Sequence, residues 1–147
     1  MEIEAAVVVN RPVDEVFARW SEVERYPEWF GMTIERRKVT EGPLRVGTIY
    51  HAVDKLPPGR RVEATLEITA YQPNELMAAR LSKPLDTTWE ARFEGTNGST
   101  RMTFRAVANP SGVQGLFAPL LTGWARRQLQ TGLDRFKASF EGDFAGT

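Results

Sequence analysis

Chemistry that needs a titratable side chain has few starting points in this chain. His51 is the only histidine, and Tyr50 and Asp54 stand close to it. A Ser-His-Asp set on His51 and Asp54 would need a serine held in a strained turn such as G-x-S-x-G, and the sequence has no such motif. A catalytic zinc typically takes three protein ligands, whereas His51 and Asp54 supply two within one short segment. His51 therefore reads as a strand histidine on the solvent side. Neighbouring strand residues point to opposite faces, so Tyr50 then points inward. There its hydroxyl either orients a polar ligand atom or bonds at the rim of a packed core. A second set is apolar: Leu66, Trp89 and Phe104 from strand-like segments, with Phe117, Leu121 and Trp124 from a helical one. These suit the wall of a binding cavity, and equally suit ordinary core packing. Gln128, four residues beyond Trp124, either meets a ligand or reaches to solvent at the stripe's edge. These eight positions are the candidate ligand-binding residues; no catalytic residue, metal site or cofactor is assigned.

The elements that must position them follow from periodicity. Between Ser111 and Phe140 apolar residues recur at three- and four-residue steps, the pattern of a long amphipathic helix. Ser111 and Gln114 fit a capping box at its start. From Pro119 on, about 23 residues would span roughly 34 Å. Pro119 and Gly123 loosen the early helix, and if Pro119 begins it, residues 113–118 form a lid-like turn. Such a helix needs a sheet to lie on. Residues 2–10 alternate as a strand with Ile3, Ala5, Val7 and Val9 on one side. Pro12 suits a helix start, and Val13, Val16, Phe17 and Trp20 make its stripe. Ser21 and Glu24 fit another capping box, opening a short second helix that ends before Pro27.

Six further strands are predicted at about 33–39, 47–54, 60–71, 75–82, 87–94 and 100–108, separated by turn-forming clusters such as Pro73-Asn74 and Thr96-Asn97-Gly98. The 60–71 strand alternates most clearly, with Val62, Ala64, Leu66, Ile68 and Ala70 inward. The other inward sets are Met77, Ala79 and Leu81; Trp89, Ala91 and Phe93; and Met102, Phe104, Ala106 and Ala108. Arg80, Glu90, Arg92, Arg101 and Arg105 then point outward, which leaves an interior almost without ionisable groups. That counts against acid–base catalysis. The element order predicts an α+β fold, a seven-stranded curved antiparallel sheet with two short helices after strand 1 and a long C-terminal helix.

Several local patterns occur in the same order. They are Pro12 with Val16-Phe17, Tyr26-Pro27 with Trp29, Gly42-Pro43 with Val46-Gly47-Thr48-Ile49-Tyr50, Glu67-Ile68 with Tyr71 and Pro73, and Gly98 with Thr100-Arg101-Met102-Thr103-Phe104. In these the chain resembles the START-like helix-grip superfamily (SRPBCC), and within it the polyketide cyclase or dehydrase proteins. The resemblance spans nearly the whole chain, 1–147, as one domain. It implies a sheet wrapped around the C-terminal helix with an apolar cavity between them, and it carries no active-site signature.

Nineteen basic and nineteen acidic side chains give no net charge, which points away from nucleic acid or an anionic membrane as partner. With no cysteine there are no disulfides, no thiolate catalysis and no cysteine-ligated zinc. No apolar run approaches the ~20 residues of a membrane span, and the cytoplasm is the expected compartment. The expected partner is a hydrophobic small molecule; neither its identity nor an oligomeric state follows from the residues. Binding or carriage of a lipid, isoprenoid or aromatic polyketide is the first functional reading. An aromatase or cyclase-type enzyme, helped by Tyr50, His51 or an inward Arg92, is one alternative. A protein-interaction module acting through the outer sheet surface is another.

Overall fold

In β1 (Glu2–Val9) strict alternation buries Ile3, Ala5, Val7 and Val9 against the interior. The computed structural model describes residues 2–82, 86–108 and 118–145, with side chains of the last helix described from 122 to 141. Helix α1 (Val13–Trp20) buries Val16, Phe17 and Trp20, and carries Asp14 and Glu15 in the first turn, where the helix dipole favours acids. Pro12 is the N-cap and not the first helical residue; its ψ of 150° is extended, and its carbonyl accepts from the amides of Glu15 and Val16.

The expected box of Ser21 and Glu24 does not form. Ser21 Oγ instead donates back to the Phe17 carbonyl at 2.8 Å and closes α1. A 3-10 helix (Val23–Glu28) follows Glu22 and has no side-chain cap. It runs through Pro27, because proline's locked φ lies within the 3-10 range and the helix is too short to need the missing amide.

β2 (Thr33–Lys38), β3 (Ile49–Leu56), β4 (Arg60–Gln72), β5 (Leu76–Ser82), β6 (Thr87–Thr96) and β7 (Ser99–Ala108) join β1 in one antiparallel sheet, in the order β1-β7-β6-β5-β4-β3-β2. All six expected strands are present. Asn97 and Gly98 both take positive φ, 48° and 81°. This is the two-residue turn whose twist matches that of its strands, and it sets Thr96 opposite Ser99. A register shift between Ile68 and Ala70 turns the end of β4 over. Tyr71, not Ala70, then pairs with buried Met77, and its ring meets Phe17 edge-on at 5.6 Å.

Helix α2 (Ala118–Ala145) has 28 residues and spans about 42 Å, five residues beyond the expected end at Phe140. Pro119 lies in its first turn, where a missing amide costs nothing. Ala125, Leu129, Leu133, Phe136 and Phe140 are buried, and the helix runs beside β1, where Gln130 Nε2 reaches the Ala6 carbonyl at 3.5 Å. Phe136 packs edge-on against Trp29 at 4.8 Å and Trp20 at 5.4 Å, so α2 also clamps the 3-10 segment. The expected capping box of Ser111 and Gln114 lies outside the described residues, as do residues 113–117 of the lid-like turn.

Candidate functional site

The inner face at β3 is built by parity. Tyr50, Ala52 and Asp54 alternate with His51 and Val53, and Tyr50 is only 1% exposed. His51 faces outward, with Nε2 3.2 Å from Glu63 and 3.9 Å from Glu35. Across the ladder toward β4, Tyr50 lies opposite Leu66 and Ala52 opposite Ala64. Toward β2, Ala52 lies opposite Arg36. Arg36 is therefore on the inner face and only 8% exposed. This corrects the expectation of an interior almost free of ionisable groups.

Arg36 forms an ion pair with Asp54, two residues along β3. Its Nη2 donates to Oδ2 at 3.2 Å, while Nη1, 3.0 Å from Oδ1, is aligned instead with the Glu35 carbonyl at 3.0 Å. Asp54 Oδ1 and Arg36 Nε are consequently buried without a hydrogen bond. Left so in an apolar interior, such groups cost stability, and most buried polar atoms in folded proteins avoid it.

Two phenols share this neighbourhood. Tyr26, fully enclosed, donates its hydroxyl to the Trp20 carbonyl at 2.9 Å. Burial pushes its pKa well above the ordinary tyrosine value, with nearby Tyr50 adding to the shift and the Arg36 charge opposing it. Burial likewise pushes Tyr50 up to about 12, and the charges of Glu24 and Tyr71 add to it. Tyr50 is thus a neutral phenol with its proton to donate.

The apolar residues expected at the site gather around Trp20. Trp89 stacks on Phe104 at 5.3 Å, and both meet Trp20 edge-on, at 5.9 and 5.8 Å. Leu66 is fully buried beside Tyr50. Tyr26 links the two groups, lying 6.3 Å from Trp89 and within the electrostatic reach of Tyr50. On α2, Trp124 is half-buried and packs against this core. Gln128 is half-buried next to Gly31, where its Oε1 would lie 3.6 Å from a Cβ. Phe117 and the side chain of Leu121 fall outside the described residues.

Reading by sequence missed Arg36 and Asp54. The one apolar residue of β2, Ile34, is exposed, so hydropathy gave no usable phase for Arg36. Asp54 carried the usable signal: it has the parity of Tyr50, and an inward carboxylate requires a cation from a neighbouring strand.

As chemistry, this is a largely apolar interior with two buried donors lacking a partner among the described residues, Arg36 Nε–H and Trp20 Nε1–H, one such acceptor, Asp54 Oδ1, and the phenol of Tyr50 as a further donor. Such a set can orient a ligand. Among the described residues no group of three His, Cys, Asp or Glu side chains is arranged to hold a metal ion. A shallow groove of about 170 Å³ lies on the opposite face of the sheet, where Glu90 and Arg105 already form ion pairs with Arg92 and Glu2. The outward arginines otherwise sit where the alternation put them, and Arg80 pairs with Asp86. No described helix is long and apolar enough to cross a membrane.

A family model described as polyketide cyclase / dehydrase and lipid transport matches residues 1–141. No curated protein matches the sequence. Among solved structures the chain is similar to TTHA0849 from Thermus thermophilus, with TM-score 0.80, 13% identity, and coverage of 94% of this chain and 95% of that one. It is similar to the di-domain ARO/CYC StfQ from the steffimycin biosynthetic pathway, with TM-score 0.76 and 18% identity, over 99% of this chain and 52% of that one. It is also similar to Ara h 8.0201, with TM-score 0.67 and 13% identity, over 95% and 96%. At these identities the likeness establishes the helix-grip fold.

Proposed function

We propose that this chain, which belongs to the polyketide cyclase/dehydrase and lipid transport family, binds and carries a hydrophobic small molecule of the lipid, isoprenoid or aromatic polyketide kind between its sheet and α2. The observation that carries this reading is a pair of buried polar atoms without a hydrogen-bond partner among the described residues, Arg36 Nε and Asp54 Oδ1, on the inner face that also holds Tyr50. Groups placed so are satisfied when a ligand atom reaches them. Short side chains at Ala52, Ala64, Ala79, Ala91 and Ala106 support the reading, because they leave room above the sheet. Leu66, Trp89, Phe104 and Trp124 are read as the apolar wall, with Gln128 at its polar edge. Phe117 and Leu121 belong to the same proposal from the helix side, and the chain 1–147 is read as one such domain.

A cyclase-type reaction is the second reading. The Tyr50 hydroxyl and the unpaired Asp54 Oδ1 favour it, as a proton donor and an acceptor on one face. StfQ, from steffimycin biosynthesis, is an ARO/CYC protein on the same fold. Native mass spectrometry of protein isolated from cells, followed by equilibrium titration with the neutral apolar fluorophore N-phenyl-naphthylamine, tests both. A co-purifying molecule that stays intact on incubation supports carriage, and one that loses water supports turnover. A protein that arrives empty and takes up no fluorophore has neither function.

A further inference from the structure

The polar end of the ligand has a chemistry that the inner face itself specifies. Tyr50, Ala52 and Asp54 form a row on β3, and Arg36 stands opposite the middle residue, so it is the diagonal neighbour of both Tyr50 and Asp54 in the ladder, with its guanidinium on the carboxylate. The residue beyond Ala52 on the other side is Ala64, so two of the shortest side chains lie among the polar groups. Two buried atoms there have no hydrogen-bond partner among the described residues, Arg36 Nε, on a side chain more than nine-tenths buried, and Asp54 Oδ1, and the Tyr50 hydroxyl on the same face is a second donor. They amount to two donors and one acceptor.

Resting on the binding function proposed above, we infer that the site takes a neutral head group with a carbonyl and a hydroxyl close together, seated over Ala52. The carbonyl oxygen accepts from Arg36 Nε and the Tyr50 hydroxyl, and the ligand hydroxyl donates to Asp54 Oδ1. Both unpaired atoms are then satisfied at once, with the phenol as a second donor to the carbonyl. Asp54 already neutralises Arg36, so the pair holds no spare positive charge for an anion. A ligand carboxylate would also meet the Asp54 charge at short range in a low-dielectric interior, where like charges repel most strongly. The site therefore discriminates against fatty-acid-like anions, which offer acceptors only.

The test is displacement of bound N-phenyl-naphthylamine by three molecules of equal chain length: hydroxymethyl decyl ketone, methyl decyl ketone and laurate. The hydroxyketone should bind about tenfold tighter than either of the others, the ratio expected for one further hydrogen bond to a charged group. Replacing both members of the pair, Arg36→Met with Asp54→Leu, should bring the three affinities, each taken relative to the fluorophore's own affinity in that variant, within about threefold of one another. Tyr50→Phe should weaken the hydroxyketone about fivefold more than it weakens the fluorophore. Equal affinities in the parent, laurate as the tightest ligand, or a preference that survives the double substitution would each overturn the inference while leaving apolar binding intact. If the double variant does not fold, Tyr50→Phe decides alone, and a hydroxyketone affinity that falls no more than the fluorophore's overturns it. A parent that binds no fluorophore refutes the binding function itself.

Discussion

Gly132→Ala sets helix propensity against packing at the place where α2 meets the 3-10 segment. In a helix interior alanine is favoured over glycine by roughly 1 kcal/mol, so propensity alone predicts a gain. A Cβ at this position, however, would lie 2.1 and 2.2 Å from two carbons of the Phe30 ring. Carbon atoms in contact rest at about 3.5–4.0 Å, so the ring or the helix must move by more than an ångström. Phe30 has little room to yield: it is buried, with Trp20 edge-on at 5.9 Å and Tyr26 at 6.1 Å. Overfilling of this kind typically costs about 1–3 kcal/mol, and after the propensity gain the expected net loss is about 0–2 kcal/mol. Gly123→Ala is the matched control on the same helix, since among the described residues its Cβ would meet only the end of Arg127 at 3.9 Å. That change should stabilise by roughly 0.5–1 kcal/mol. Urea unfolding followed by tryptophan fluorescence and circular dichroism measures both, and adding Phe30→Leu should recover part of the Gly132→Ala loss. If Gly132→Ala stabilises as much as Gly123→Ala, the close approach of α2 to Phe30 is wrong.

Four other outcomes are expected. His51→Ala should leave ligand binding and any turnover within a few-fold of the parent, because His51 faces outward between Glu35 and Glu63; a hundredfold loss would restore it to the mechanism. Trp124→Ala should cost less than about 3 kcal/mol, since a half-buried wall residue loses fewer contacts than a packed core tryptophan, and it should alter fluorophore binding in the same titration. Ala64→Leu or Ala106→Leu should be near neutral in urea unfolding but weaken the fluorophore, whereas a solidly packed interior would lose roughly 1–3 kcal/mol. The last concerns alkaline pH. Tyr50 has a folded pKa of about 12 against an unfolded value near 10.0, so the folded state holds its proton longer; its contribution is complete below the unfolded value and lost as pH rises from there through about 12. Tyr50→Phe should flatten that part of the stability–pH curve, and superimposable curves would show that the phenol is not buried.

Where one face is apolar and the other polar, the chain could be read directly. β1, β6 and β7 each turn inward the set that alternation assigned, and β4 buries Leu66 and Ile68 of its set, because a period-two pattern leaves one register that hides it. β4 departs after Ile68, where the bulge exchanges Ala70 for Tyr71, and nothing in the local pattern signals an inserted residue. The capping of the 3-10 segment misled for a related reason. Ser21 had two backbone groups within reach, and it chose the carbonyl behind it over the amides ahead. At the candidate site the apolar half was legible and the polar half was not. Trp89, Phe104 and Leu66 announce themselves by hydropathy, whereas Arg36 lies in a strand whose one apolar residue, Ile34, is exposed, and needs the β2–β3 register to be placed.

The central claim is that an apolar molecule occupies the space between the inner face and α2. Intermolecular nuclear Overhauser effects from bound N-phenyl-naphthylamine to assigned methyl groups test it most directly. The account predicts contacts from the fluorophore to the methyls of Ala52, Ala64 and Leu66 on the inner face, and none to exposed Val8 or Ile34. Contacts confined to Val8, Ile34 or Ala78 in the outer groove, at saturating fluorophore, would contradict it.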